Sequence, residues 1–259
     1  MNIGSETLDQ ILSSLKDYNP TAYDLMTNVS KALIPVALVV LATLMYMELT
    51  DTNRRLATEH GRMSSDVFIA VAWKYFAAFA LVMLTNQIID SFVYLNGAVG
   101  HIIDNLVHTD SDLSTVVPDI KGKLNMFQKM LLTGMMGMAH MAEWLAETVV
   151  KVLIFLRFFQ LFIYKGAAPL MVSSYVSEEW RGVATGYMKQ FIAIIIQGFV
   201  LVLILKLYPA IVADDMFTLS ATGDFLENLA AFFLVFLKSG VFIFVLTSSQ
   251  GMVKRWMGV

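Results

Sequence analysis

Apolar residues run almost unbroken along four stretches of the chain, 29–49, 67–89, 188–211 and 229–249. A helix needs about 20 mostly apolar residues to cross the hydrocarbon core of a bilayer, so each stretch predicts a membrane span. A fifth, 145–171, is apolar apart from Glu147, Lys151, Arg157 and Lys165. The segment 124–142 is rich in methionine (Met126, Met130, Met135, Met136, Met138 and Met141) but also holds Gln128, Lys129, His140 and glycines at 134 and 137. Near the N-terminus, Leu8, Ile11, Leu12 and Leu15 fall on one helical face behind Ser5 as an N-cap, and Asn19-Pro20 interrupts before the first span. No basic stretch followed by an apolar run opens the chain, so these residues predict a short amphipathic helix rather than a signal peptide. Such a helix lies in the membrane interface or packs on another subunit.

Basic residues orient the spans. The linker 50–66 carries Arg54, Arg55 and Arg62, the linker 172–187 carries Arg181 with Lys189 just beyond it, and the tail carries Lys254 and Arg255. Between Lys206 and Lys238 only acids occur, Asp214, Asp215, Asp224 and Glu227. Lys and Arg collect on the cytoplasmic side. Five spans, with the N-terminus outside and the C-terminus cytoplasmic, satisfy all four segments. A sixth span at 124–142 breaks the pattern, so that segment is expected outside, as a helix that projects or one that breaks near Gly134 and Gly137 and lies in the interface. Its methionines suit ordinary packing against neighbouring helices, or a partner-facing or channel-lining surface. The expected fold class is therefore an all-α integral membrane protein. Residues 1–28 form an outer-face segment, and 29–259 form one polytopic domain whose outer loop and Met-rich helix occupy 90–144.

Composition agrees with that class. Of the 259 residues 57% are hydrophobic and 15% charged, against about 25% charged in soluble domains. The net charge of −3 gives no general attraction for nucleic acid, and the lack of cysteine excludes disulfides and thiolate metal sites. No G-x-x-x-x-G-K-[ST] phosphate loop, H-E-x-x-H zinc helix or G-x-S-x-G nucleophile turn occurs. His60, His101, His108 and His140 are scattered, and His101, Asp104 and His108 read as a solvated helix end. The expectation is a protein without enzymatic activity or cofactor.

Charges inside the spans carry more information, because each costs roughly 2.5–3.5 kcal/mol at mid-bilayer unless it snorkels or finds a partner. Lys165 and Lys206 are placed to snorkel. Glu147 and Lys151 are spaced i, i+4 with the acid first, the favourable order for a helical pair. Arg157 stands nearest the centre of its span with no partner nearby in sequence, so it is expected either to contact a partner or pore within an assembly or to snorkel. After the third span, Gly166 and Pro169 are expected to end the helix. A turn follows with Glu178, Glu179, Trp180 as an interfacial anchor and Arg181 within reach of lipid phosphate.

The stretch GAAPLMVSSYVSEEWRGVATGYMKQFIAIIIQG resembles the corresponding region of TrbL-like polytopic inner-membrane subunits of bacterial type IV secretion and conjugation machines. In that family a span ends in an Ala-Pro break. A short cytoplasmic loop, often with a tryptophan, then leads to a helix that opens with Lys or Arg and contains Gln-Gly. Here these features fall on Ala168-Pro169, Trp180, Lys189 and Gln197-Gly198. The resemblance implies a channel or scaffold subunit in the inner membrane that helps to pass protein, or protein-bound single-stranded DNA, across it. Implied partners are other secretion subunits including ATPases, membrane lipid and further copies of the chain, with nucleic acid only as transported substrate. Two other classes stay open: an independent small-solute transporter or ion channel, and an assembly scaffold that lines no pathway.

Overall fold

A computed structural model of the protein describes residues 5–58, 65–106, 125–213 and 225–258. The arginine at 62, the histidines at 60 and 108 and the acids at 214, 215 and 224 lie outside these residues. Among the described residues all regular structure is helical. The helices are α1 (Ser5–Leu12), α2 (Leu15–Tyr18), α3 (Pro20–Thr58), α4 (Ser65–Met83), α5 (Thr85–Leu106), α6 (Met126–Ser173), α7 (Arg181–Ala213) and α8 (Phe225–Met257), with a 3-10 turn at Ser174–Val176. The protein is an all-α membrane protein. Among the described residues four helices are long and apolar enough to cross a bilayer: α3, α4, α7 and α8.

Local chemistry sets the first boundaries. Ser14 caps α2 by accepting from the Asp17 amide at 3.1 Å. Asn19 caps α3 by accepting from the Ala22 amide at 2.9 Å. Pro20 follows as the first residue of α3, where its missing N–H costs nothing. The apolar face of α1 and α2 departs from the expected interfacial helix: Leu8, Ile11 and Leu12 of α1 and Leu15 of α2 are all buried within the chain itself. Eight residues are too few for a stable isolated helix, so α1 depends on this burial.

Three further boundaries differ from the sequence reading. The second expected span, 67–89, is divided between α4 and α5 at Leu84. The Thr85 hydroxyl donates to the Leu81 carbonyl at 2.8 Å, a back-bond that bends helices. Residues 90–106, expected as the start of an outer loop, are helical as the rest of α5. The fifth expected span lies within α6, a continuous helix of 48 residues, about 72 Å at 1.5 Å per residue. It is not among the four long apolar helices, and Lys151, Arg157 and Lys165 punctuate its run.

Helix α6 does not break at Gly134 or Gly137, and Pro169 does not end it. One lost backbone bond is tolerated where packing holds the helix, and Ala168 beside it is fully buried. The end comes at Ser173 and Ser174, whose hydroxyls donate to the carbonyls of Leu170 and Met171, both at 2.7 Å. These bonds satisfy acceptors that a helix terminus otherwise leaves open.

The chain forms two compact units. One comprises 1–13, 96–157 and 196–255, and the other 14–95, 158–195 and 256–259. In the first, Leu132 and Ala139 of α6 pack with Phe232 and Val235 of α8, and Met135 and Met136 lie against them. In the second, Leu41 of α3, Tyr75 and Ala78 of α4 and Val176 form the core.

Candidate functional site

The groups able to do polar work are charged side chains held inside the helices. In the first unit Arg157 is only 3% exposed, and its Nη1 donates to the Ile11 carbonyl at 3.0 Å. Ile11 lies in the last turn of α1, where carbonyls lack a helical partner and carry the negative end of the helix dipole. The arginine therefore closes α1 from 146 residues away. Its guanidinium lies on the backbone of Gly198: a Cβ there would stand 1.9 Å from the guanidinium carbon. Neighbouring Gln197 is buried and donates through Nε2 to the Gln250 carbonyl at 3.4 Å.

Helix α1 reaches this position because α5 carries two glycines under it. A Cβ on Gly97 would lie 2.5 Å from the Leu12 carbonyl oxygen, and one on Gly100 would lie 2.0 Å from Leu12 Cδ2. Buried Lys206 pairs with Asp104 at 2.6 Å. Glu147 and Lys151 form the expected i, i+4 pair at 2.7 Å.

The second unit contains two carboxylates, each gripped by a lysine and a tyrosine. Asp90 takes the Nζ of fully buried Lys165 at 2.5 Å on Oδ1. Its Oδ2 accepts from the Tyr23 hydroxyl at 2.8 Å, and the Lys165 ammonium also sits 4.1 Å from the centre of the Tyr23 ring. Glu48 accepts from Lys74 Nζ at 2.8 and 2.9 Å and from the Tyr75 hydroxyl at 2.8 Å. Both clusters satisfy the charge locally, as a low-dielectric setting demands.

Arg157 thus neither snorkels nor faces outward, and Lys165 and Lys206 do not snorkel; each is buried on a partner within its own unit. The partners of Lys165 and Lys206 escaped the sequence reading because Asp90 and Asp104 fell in a segment read as an outer connection, where a charge asks for no explanation. A usable signal existed. Asp90, Gly97 and Asp104 recur every seven residues, which places both acids and a glycine on one helical face.

The remaining expected positions, Pro169, Trp180, Arg181 and Lys189, belong to the second unit. Pro169 lies inside α6. Trp180 is 55% exposed, and its carbonyl accepts from the Val183 amide at 3.0 Å as α7 begins. Exposed Arg181 donates from Nε to the Tyr175 carbonyl at 3.5 Å and lies over the Tyr175 ring. Lys189 is exposed. No group of three or more His, Cys, Asp or Glu suited to a metal occurs among the described residues. Asp104 is committed to Lys206. The arrangement carries charge through apolar helices in fixed pairs.

Comparison with known proteins adds the remaining finding. Residues 4–169 match the family described as TrbL/VirB6 plasmid conjugal transfer like protein. Neither a curated protein nor a solved structure gives a match. The matched region runs from α1 to Pro169 and so ends before Trp180, Lys189 and Gln197-Gly198. It covers well over half of the chain, and the protein therefore belongs to the TrbL/VirB6 plasmid conjugal transfer-like family, as a multi-pass membrane subunit related to conjugation and type IV secretion.

Proposed function

We propose that the protein is a non-enzymatic channel or scaffold subunit of a type IV secretion machine in a bacterial inner membrane. There it helps to move protein, or protein-bound single-stranded DNA, across the bilayer while ATPases on other chains supply the energy. The observation that carries this reading is the family match over residues 4–169. The buried pairs are consistent with it. Lys165, Lys206 and Arg157 are occupied by groups of the chain itself, which suits a scaffold that must insert intact before meeting partners. Several copies assembled around a pathway would supply its continuous wall.

Deletion of the gene and complementation with the full chain test this reading through transfer frequency. Loss of transfer, its restoration by the wild-type chain and co-purification with the secretion ATPases are the expected results. Saturable solute uptake by the isolated chain in liposomes, with transfer unaffected by deletion, overturns it in favour of an independent transporter.

A further inference from the structure

Helix α6 carries two patterns in the first unit. On its inward side Leu132, Ala139, Ala146 and Val150 are buried. On the outward side, positions alternately four and three residues apart run from Phe127 through Met138, Met141, Leu145 and Val152 to Phe155, and these six are all exposed. Leu131, Gly134 and Thr148 complete the series. A strict four-three alternation is a heptad repeat, the seam along which one helix packs on another.

Lipid does not account for this face. Exposed apolar side chains continue along α6 from Met126 to Ile163, roughly 55 Å at 1.5 Å per residue. The hydrocarbon core is about 30 Å thick, and spanning helices tilt by at most about 40°. No placement in the bilayer therefore covers the whole strip with lipid tails. On the five-span reading the part left over is 126–144, where Phe127 is 77% and Met130 78% exposed. A continuous apolar strip outside the hydrocarbon marks a contact with protein.

The seam also indicates which protein. Copies of one membrane chain insert in the same orientation, so two α6 helices run parallel and, in register, set each residue beside its own counterpart. Such self-pairing fails wherever a charge stands on the seam, because like then meets like. Lys129, His140, Glu143 and Glu147 all fall off the seam and off the positions that flank it. Lys151, on a flank, is already paired with Glu147. Gly134 on the seam and Gly137 beside it have open space where a Cβ would stand, so a second backbone can approach closely. The methionines supply side chains that adapt to their own copies. We infer that α6 is the contact between copies of this chain, two α6 helices pairing in parallel along the seam from Phe127 to Phe155. This rests on the assembly of several copies proposed above and adds where they meet.

The test uses the full chain in native membranes. It has no cysteine, so single thiols on the seam and at exposed Thr133 and His140 off it can be compared under mild oxidation. Disulfide-linked dimers are expected at Met138→Cys and Leu145→Cys at least about tenfold faster than at Thr133→Cys and His140→Cys, since matching seam positions of a parallel pair face each other. Adding Met141→Lys or Met141→Glu should slow the Met138→Cys crosslink roughly tenfold, because like charges then meet across the seam. Co-expressing the lysine and glutamate versions should restore it, which a folding defect in either one would not. The inference is overturned by equal rates at all four positions, by capture of a different protein or of another part of the same chain at 138 and 145, or by a mixed pair that restores nothing. Dimers that link only elsewhere, with transfer still lost on deletion of the gene, would remove the seam and leave the secretion reading standing.

Discussion

At the scale of single residues, the buried pairs are the features whose removal has the sharpest cost. Lys165 is fully enclosed, so Lys165→Met leaves the partly buried Asp90 carboxylate facing Tyr23 alone. Breaking a buried pair from one side typically costs about 3–5 kcal/mol. The expected outcome is a clear fall in melting temperature in detergent, with most of it recovered when Asp90→Asn is added. A double variant as unstable as the single one would mean that Lys165 acts through packing alone. Gly198→Val makes the complementary prediction in the first unit. Its side chain occupies the place of the Arg157 guanidinium, and overpacking of this kind costs about 1–3 kcal/mol. Combining it with Arg157→Leu should not add the two single losses, because both act on the same contact with Ile11.

At the scale of elements, α1 is the informative case. Its attachment rests on Arg157 at its last turn and on the glycine pair of α5 beneath Leu12. Gly97→Val should lift α1 from its seat with little change in total helix content. Hydrogen exchange across residues 5–12 should accelerate, and unchanged protection there would sink the idea. The apolar periodicity of α1 was legible in the sequence, as were the Asn19-Pro20 boundary, the Glu147–Lys151 pair and the four long apolar runs. The target of the α1 face was not, because period 3.6 reports that a face is buried and says nothing of what covers it. Helix α5 was missed because its polar residues, Asn86, Asp90 and Asp104, lower the hydropathy by which spans are recognised, and the lysines that pair with the two acids lie far along the chain. The end of α6 was placed too early because proline weighs heavily in a sequence reading, while a buried Ala168 and two serine back-bonds weigh nothing.

At the scale of the whole molecule, the number of crossings decides the topology. With α3, α4, α7 and α8 alone the two termini share a side, whereas crossing by α6 separates them. The charges of α6 do not bar it from the bilayer, since Lys151, Arg157 and Lys165 are each matched by a group of the chain. The chain has no cysteine, so single introduced thiols report without background. Asp9→Cys should react with an impermeant maleimide from outside the cell, and Glu179→Cys and Lys254→Cys only after permeabilisation. Labelling of positions 9 and 254 from one side would leave α6 out of the membrane. Trp180→Ala should lower transfer frequency more than it lowers membrane insertion, and equal losses would assign Trp180 to folding. The seat of Arg157 also bears on how such a sequence can drift. Any side chain at 198 collides with the arginine, and losing the arginine first strands the Ile11 carbonyl, so each order of change passes through a damaged intermediate. The two positions are epistatically locked, and replacements at 157 and 198 should survive selection only together, or behind an earlier change that re-anchors α1.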